Sequence, residues 1–72
     1  MNLNIKEFSK IMGLSVDTLR YYEKCGLISP KRNKNNKYRE YTEYEGIDVL
    51  RAKQYNSFGI SLGDTITILN KE

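Results

Sequence analysis

Residues 15–41 read SVDTLRYYEKCGLISPKRNKNNKYREY, and this stretch decides the fold. Ser15 suits a helix N-cap, because its hydroxyl can accept a backbone N–H that the first helical turn leaves unpaired. Asp17, just inside, suits the positive end of the helix dipole. The helix can be read face by face at ~100° per residue. Val16, Leu19 and Tyr22 fall on one side, with Glu23 at its edge. Asp17, Thr18, Tyr21, Lys24 and Cys25 fall on the other, with Arg20 at the border. Gly26 closes the helix, and Leu27 and Ile28 return the chain to the core. Pro30 then breaks regular structure. The run ISPKRNKNNKYREY predicts two short strands around a loop at residues 33–36, where asparagines tolerate positive φ. An outward helix face that is polar, basic and aromatic, beside a basic arm, is what gripping a DNA duplex requires.

Upstream, Asn4 with Glu7 three residues on forms a capping-box pattern. Ile5, Phe8, Ile11 and Met12 make an apolar stripe at helical spacing, Gly13 ends the helix, and Leu14 anchors the turn. Helix, short glycine turn, helix is the helix-turn-helix arrangement. Downstream, Thr42 and Glu45 form a second capping box. Val49, Leu50, Ala52, Tyr55 and Phe58 are expected to supply the apolar side of that third helix, and Gly59 to stop it. Gly46 weakens it by up to ~1 kcal/mol relative to alanine. Ser61 and Asp64 open a fourth helix with the stripe Leu62, Ile66, Leu69, which Gly63, Thr65 and Thr67 make intrinsically weak. Tyr22, Tyr41, Tyr44 and Tyr55 are expected to pack. The predicted fold is mostly α: a winged helix-turn-helix of about four helices with a short two-stranded β-hairpin wing. One domain over 1–72 would hold a helix-turn-helix at about 4–26, a wing at about 28–41 and helices at about 43–58 and 61–70.

The chain has 72 residues and a net charge of +3, which hides an asymmetry. Residues 20–39 carry seven basic side chains and one acidic, Glu23, for +6; the remainder carries five basic and eight acidic, for −3. Such a local excess is the electrostatic footprint of a polyanion partner. No apolar run approaches the ~18 residues of a membrane span. The start, MNLNIKEF, lacks a signal-peptide layout. With one cysteine there is no internal disulfide, so a cytosolic location is expected. One cysteine without histidine builds no metal site within a monomer, so Cys25 reads as a surface or half-buried thiol and no metal or cofactor is expected. The same deficits, with no carboxylate pair in an evident pocket, argue against an enzyme.

Three motifs carry a family resemblance: TLRYYEKCGLI at 18–28, YREYT at 38–42 and FGISL at 58–62, within a span from about Ile5 to Leu69. In this order and spacing the chain resembles the DNA-binding domain of the MerR family of bacterial transcription regulators. The resemblance implies a homodimer on a near-palindromic operator, bending and untwisting promoter DNA for RNA polymerase, so that some specificity comes from base pairs never touched. It implies that Arg20 and Tyr21 contact the DNA backbone and that Tyr38 and Arg39 in the wing clamp phosphates. It places Val16, Asp17 and Thr18 at the opening of the recognition helix, where base edges are read, and the capping Ser15 is counted with them as DNA-binding. Lys37 is a further phosphate contact on charge alone. Together Arg20, Tyr21, Tyr38 and Arg39 are expected to form one continuous cationic ridge.

Three positions depart from the family pattern. Asp17 stands where a basic or neutral residue is usual, Lys37 where glycine is usual, and Glu40 where an aromatic or basic residue is usual. The family's long dimerisation helix and effector domain lie beyond Glu72. A fragment of a larger regulator is the favoured explanation, and a naturally short protein, monomeric as this chain, the other. A lone domain on one half-site would forgo the ~100-fold or greater gain of two linked heads. Two other functions stay open: an excisionase-like DNA-bending factor of a mobile element, and a basic module that meets an acidic protein.

Overall fold

A computed structural model describes residues 2–71. Each helix begins where its capping side chain stands. α1 spans Ile5–Met12; the Asn4 side chain accepts from the Glu7 amide at 2.8 Å, while Glu7 accepts from the Asn4 amide at 3.0 Å. α2 spans Val16–Cys25, with Ser15 Oγ accepting from the Thr18 amide at 3.1 Å. Gly13 and Gly26 end these two helices in the left-handed conformation, at φ 69° and 88°, which spares a Cβ its steric penalty. α3 spans Glu43–Ser57 behind the Thr42–Glu45 capping box, and α4 spans Leu62–Asn70 behind Ser61. Between α2 and α3 lies the wing: β1, Lys31–Arg32, runs antiparallel to β2, Arg39–Glu40, in the register Lys31 to Glu40 and Arg32 to Arg39.

Helix α1 packs on α2 and on α3, and α3 packs on α4. The core gathers Phe8 and Met12 from α1, Leu19 and Tyr22 from α2, Leu27 and Ile28 from the following turn, Tyr41, and Val49 and Ala52 from α3. Phe8 and Tyr41 stack with ring centroids 4.8 Å apart. Tyr41 also exchanges two backbone hydrogen bonds with Leu3, each 2.8 Å, so the chain start is tied to the base of the wing. Lys53 on α3 donates to the Met12 carbonyl at 3.0 Å, satisfying one of the carbonyls that the end of α1 leaves unpaired. Among the described residues no helix is long and apolar enough to cross a membrane.

Several expected packing positions are exposed instead. Val49 and Ala52 are buried and Tyr55 half-buried, but Leu50 is 56% and Phe58 73% exposed. Tyr44, expected to pack, is 70% exposed, and Ile11 also faces outward. On α3, Tyr44, Ile47 and Leu50 form a second apolar arc on the side away from the core, continued by the exposed Phe58 just past the helix end. In α4, Leu62, Ile66 and Leu69 pack against the core, and Thr65 is fully buried, its hydroxyl donating to the Ser61 carbonyl at 2.9 Å. The residue expected only to weaken α4 is thus a core residue whose polar atom is satisfied within its own turn.

The wing tip differs from expectation in which residue takes the unusual backbone. None of its asparagines has positive φ; Lys37 does, at 63°. The asparagines act through their side chains. Asn33 Oδ1 accepts from the amides of Asn35 and Asn36 at 2.7 and 3.2 Å, and Asn36 Oδ1 from Tyr38 at 2.9 Å. Asn33 Nδ2 donates to Glu40, which gives the departure at residue 40 a local role. Lys37 therefore keeps the conformation a glycine would supply, at a cost of about 1–2 kcal/mol for an L side chain. Lys37→Gly is expected to raise the melting temperature by about 2–8 °C, once the greater freedom of glycine in the unfolded chain is subtracted. Thermal unfolding followed by circular dichroism checks this; an unchanged or lower midpoint would show that the wing relieves the strain by other means.

Candidate nucleic-acid interface

Helix α2 and the wing face each other across a groove of about 630 Å³. Arg20, Glu23 and Lys24 line it from α2, and Arg32, Lys37, Tyr38 and Arg39 from the wing. Asn4 and Ile5 border it from the start of α1, and Tyr41 joins them from the core side. Local rules explain each placement. Arg20 and Lys24 are one helical turn apart, so their side chains share a face. Arg32 stands opposite Arg39 in the wing register, which stacks two cations across the hairpin. Five basic side chains thus surround one carboxylate, Glu23.

That carboxylate is engaged. Arg39 Nε donates to Glu23 Oε2 at 2.5 Å, with the two side chains 38% and 24% exposed. The bond ties the wing to α2 across 16 residues of sequence. Pairing of Arg20 with Glu23 or Glu7, the ordinary alternative for this residue, is not what the structure holds: Glu23 takes Arg39, and Glu7 caps α1. Arg20 is exposed.

The expected ridge is only partly assembled. Arg20, Tyr38 and Arg39 meet in the groove, and Lys37 joins them. Tyr21 does not line it; this residue is 56% exposed on the neighbouring face of α2. Its phenol is pushed above the usual tyrosine value, chiefly by the neighbouring Cys25 side chain. Cys25 is half-buried.

Ser15, Val16, Asp17 and Thr18 form the opening turn of α2, outside the groove. Ser15 and Asp17 are exposed, and Val16 and Thr18 half-buried. The hydroxyls of Ser15 and Thr18 lie 2.8 Å apart and hydrogen-bond to each other. This turn lies ~9–14 Å along the axis from Lys24 but only ~3–8 Å from Arg20, at 1.5 Å rise per residue. One helix thus offers two adjoining surfaces, a small polar tip and a cationic flank. Sequence reasoning undervalued Lys24 and Arg32, although the i, i+4 spacing from Arg20 was visible for the first. Nothing local signalled Asn4 or Ile5, which reach the groove only through the packing of α1.

The wing and both opening helices coincide with a known family pattern. A family model described as MerR family regulatory protein matches residues 4–41, from the cap of α1 to Tyr41. The chain belongs to the MerR family. Its relatives include the HTH-type transcriptional regulator CueR of Escherichia coli O6:H1, 31% identical over 68 residues that cover 94% of this chain and 50% of that protein. The HTH-type transcriptional regulator AdhR of Bacillus subtilis is 46% identical over 41 residues, covering 57% of this chain and 29% of that protein. A crystal structure of a MerR-family transcriptional regulator from Bacillus cereus superposes with a TM-score of 0.87 at 28% identity, covering 96% of this chain and 52% of that one. The chain spans about half the length of the CueR protein it matches.

Proposed function

We propose that this chain is the DNA-reading part of a bacterial transcription regulator. Helix α2 enters the major groove tip first, and the wing lies on the adjoining phosphate backbone. One observation carries the reading: Arg20, Lys24, Arg32, Lys37 and Arg39, drawn from two elements, surround a single groove beside an exposed helix. A concave cationic surface concentrates positive potential and attracts a polyanion. In this reading Arg20, Lys37, Tyr38 and Arg39 hold phosphates, with Tyr21 as a neutral hydrogen-bond donor to the same backbone. Ser15, Val16, Asp17 and Thr18 meet base edges, where the Asp17 carboxylate suits a cytosine amino group. Family membership supports a homodimer acting on promoter DNA with RNA polymerase in the cytoplasm, and relatives named as transcriptional regulators support a regulator rather than an enzyme.

Selection from a random duplex library, followed by binding over a salt series, tests the proposal. The expected outcome is an enriched sequence motif and a logarithm of affinity that falls linearly with log salt. Asp17→Asn and Thr18→Ala should then shift the preferred bases, by ~1–3 kcal/mol per altered contact, without changing the salt slope. Binding that ignores duplex sequence, and is matched by an acidic polypeptide, would favour the protein-interaction reading and overturn this one.

A further inference from the structure

Glu23 is the single carboxylate among the residues that line the groove. In a surface shaped for phosphates it repels the ligand, and the repulsion is strongest where water is displaced. Its geometry offers a reason for its presence. A guanidinium has five N–H donors in a rigid fork. Glu23 takes the one on Nε, which leaves the four on the terminal nitrogens for an acceptor outside the protein. Arg39 sits on a strand of two residues paired with an equally short β1, and among the described residues its guanidinium has no partner on the wing itself. The carboxylate comes from α2, whose Leu19 and Tyr22 are buried in the core. A firmly anchored helix therefore supplies the group that fixes the direction of the Arg39 guanidinium.

We propose that Glu23 is a positioning residue, which aims the terminal nitrogens of Arg39 at a DNA phosphate. The proposal rests on the DNA-binding reading above. It opposes simple electrostatics in sign: removing a negative charge from a DNA-binding groove should tighten binding, whereas removing an aiming group loosens it.

The test uses the whole chain with a fluorescent random-sequence duplex of about three helical turns, by anisotropy over a salt series. Melting temperatures are measured for every variant. Arg39→Ala should weaken binding about tenfold and lower the salt slope by roughly one. Glu23→Ala should weaken it by about five- to tenfold and lower the slope by nearly as much, despite the added net positive charge. Glu23→Gln, whose amide oxygen still accepts the Nε–H, should bind at least as tightly as the parent. In the Arg39→Ala background, Glu23→Ala should tighten binding, since only repulsion is left to remove. Arg39→Lys, which keeps the charge without the fork, should lose nearly as much as Arg39→Ala, and this variant decides the matter if Glu23→Ala does not fold.

Tighter binding by Glu23→Ala in the parent background, equal weakening in both backgrounds, or full affinity in Arg39→Lys would each overturn the proposal. An Arg39→Ala variant indistinguishable from the parent would overturn the wing assignment and this proposal with it, whereas a parent chain without salt-dependent duplex binding would instead bring down the DNA-binding reading itself.

Discussion

Tyr41→Ala is expected to abolish the folded state at 37 °C. Tyr41 is fully buried, stacks on Phe8 at 4.8 Å and joins the chain start to the wing through the Leu3 pairing. Truncating a buried aromatic costs ~3–5 kcal/mol through lost transfer energy and a residual cavity. A chain of this length has roughly 4–11 kcal/mol in all, at the usual stability per residue. The substitution therefore removes about a quarter or more of the total and can remove all of it. Tyr41→Phe is the informative control. The Tyr41 hydroxyl is buried with no hydrogen-bond partner among the described residues, and burial is the main cause that pushes its pKa up. Deleting a buried, unpaired hydroxyl removes a desolvation cost and little else. Tyr41→Phe should match or exceed the parent by up to about 1 kcal/mol in urea unfolding. A loss of more than that would reveal a partner for the hydroxyl.

The second large effect concerns binding. Arg20→Ala with Arg39→Ala should reduce duplex affinity roughly 100-fold near 0.1 M salt and lower the salt slope by about two, with little change in sequence preference. The two arginines come from different elements and meet in one groove. Loss of Arg39 also leaves Glu23 unpaired among the remaining cations, so this single variant should cost more than Arg20→Ala. The salt series separates these roles: a changed base preference at constant slope would move either arginine from the phosphates to the bases.

Local signals sufficed for every helix boundary that has a cap. Asn4, Ser15, Thr42 and Ser61 each begin a helix, because a side chain that satisfies orphan amides acts within three residues. The inward face of α2 was equally legible, since Leu19 and Tyr22 have polar neighbours on every other side. Helix α3 was ambiguous for a reason visible in its residues. It carries two apolar arcs, Val49 and Ala52 on one side and Tyr44, Ile47 and Leu50 on the other, with Phe58 continuing the second beyond the helix end. Periodicity shows that both exist but not which one meets α1 and α4. The wing was legible as a hairpin, but the positive φ fell on Lys37, because the tip's hydrogen bonds run through Asn33 and Asn36 and leave that position to bend.

The amino-acid order by itself determined the four helices, their starts, the hairpin between the second and third, and the concentration of positive charge from Arg20 to Arg39. These depend on interactions a few residues long, which propensity, capping and local charge specify within the sequence itself. Only the tertiary structure decided that Glu23 meets Arg39, that Tyr21 stands outside the groove while Lys24 and Arg32 line it, and which arc of α3 is buried. Those outcomes depend on how α1, α2 and the wing are oriented as bodies. That orientation is set by the shared burial of Phe8, Leu19, Tyr22 and Tyr41, a sum over distant contacts that no single stretch of the chain contains.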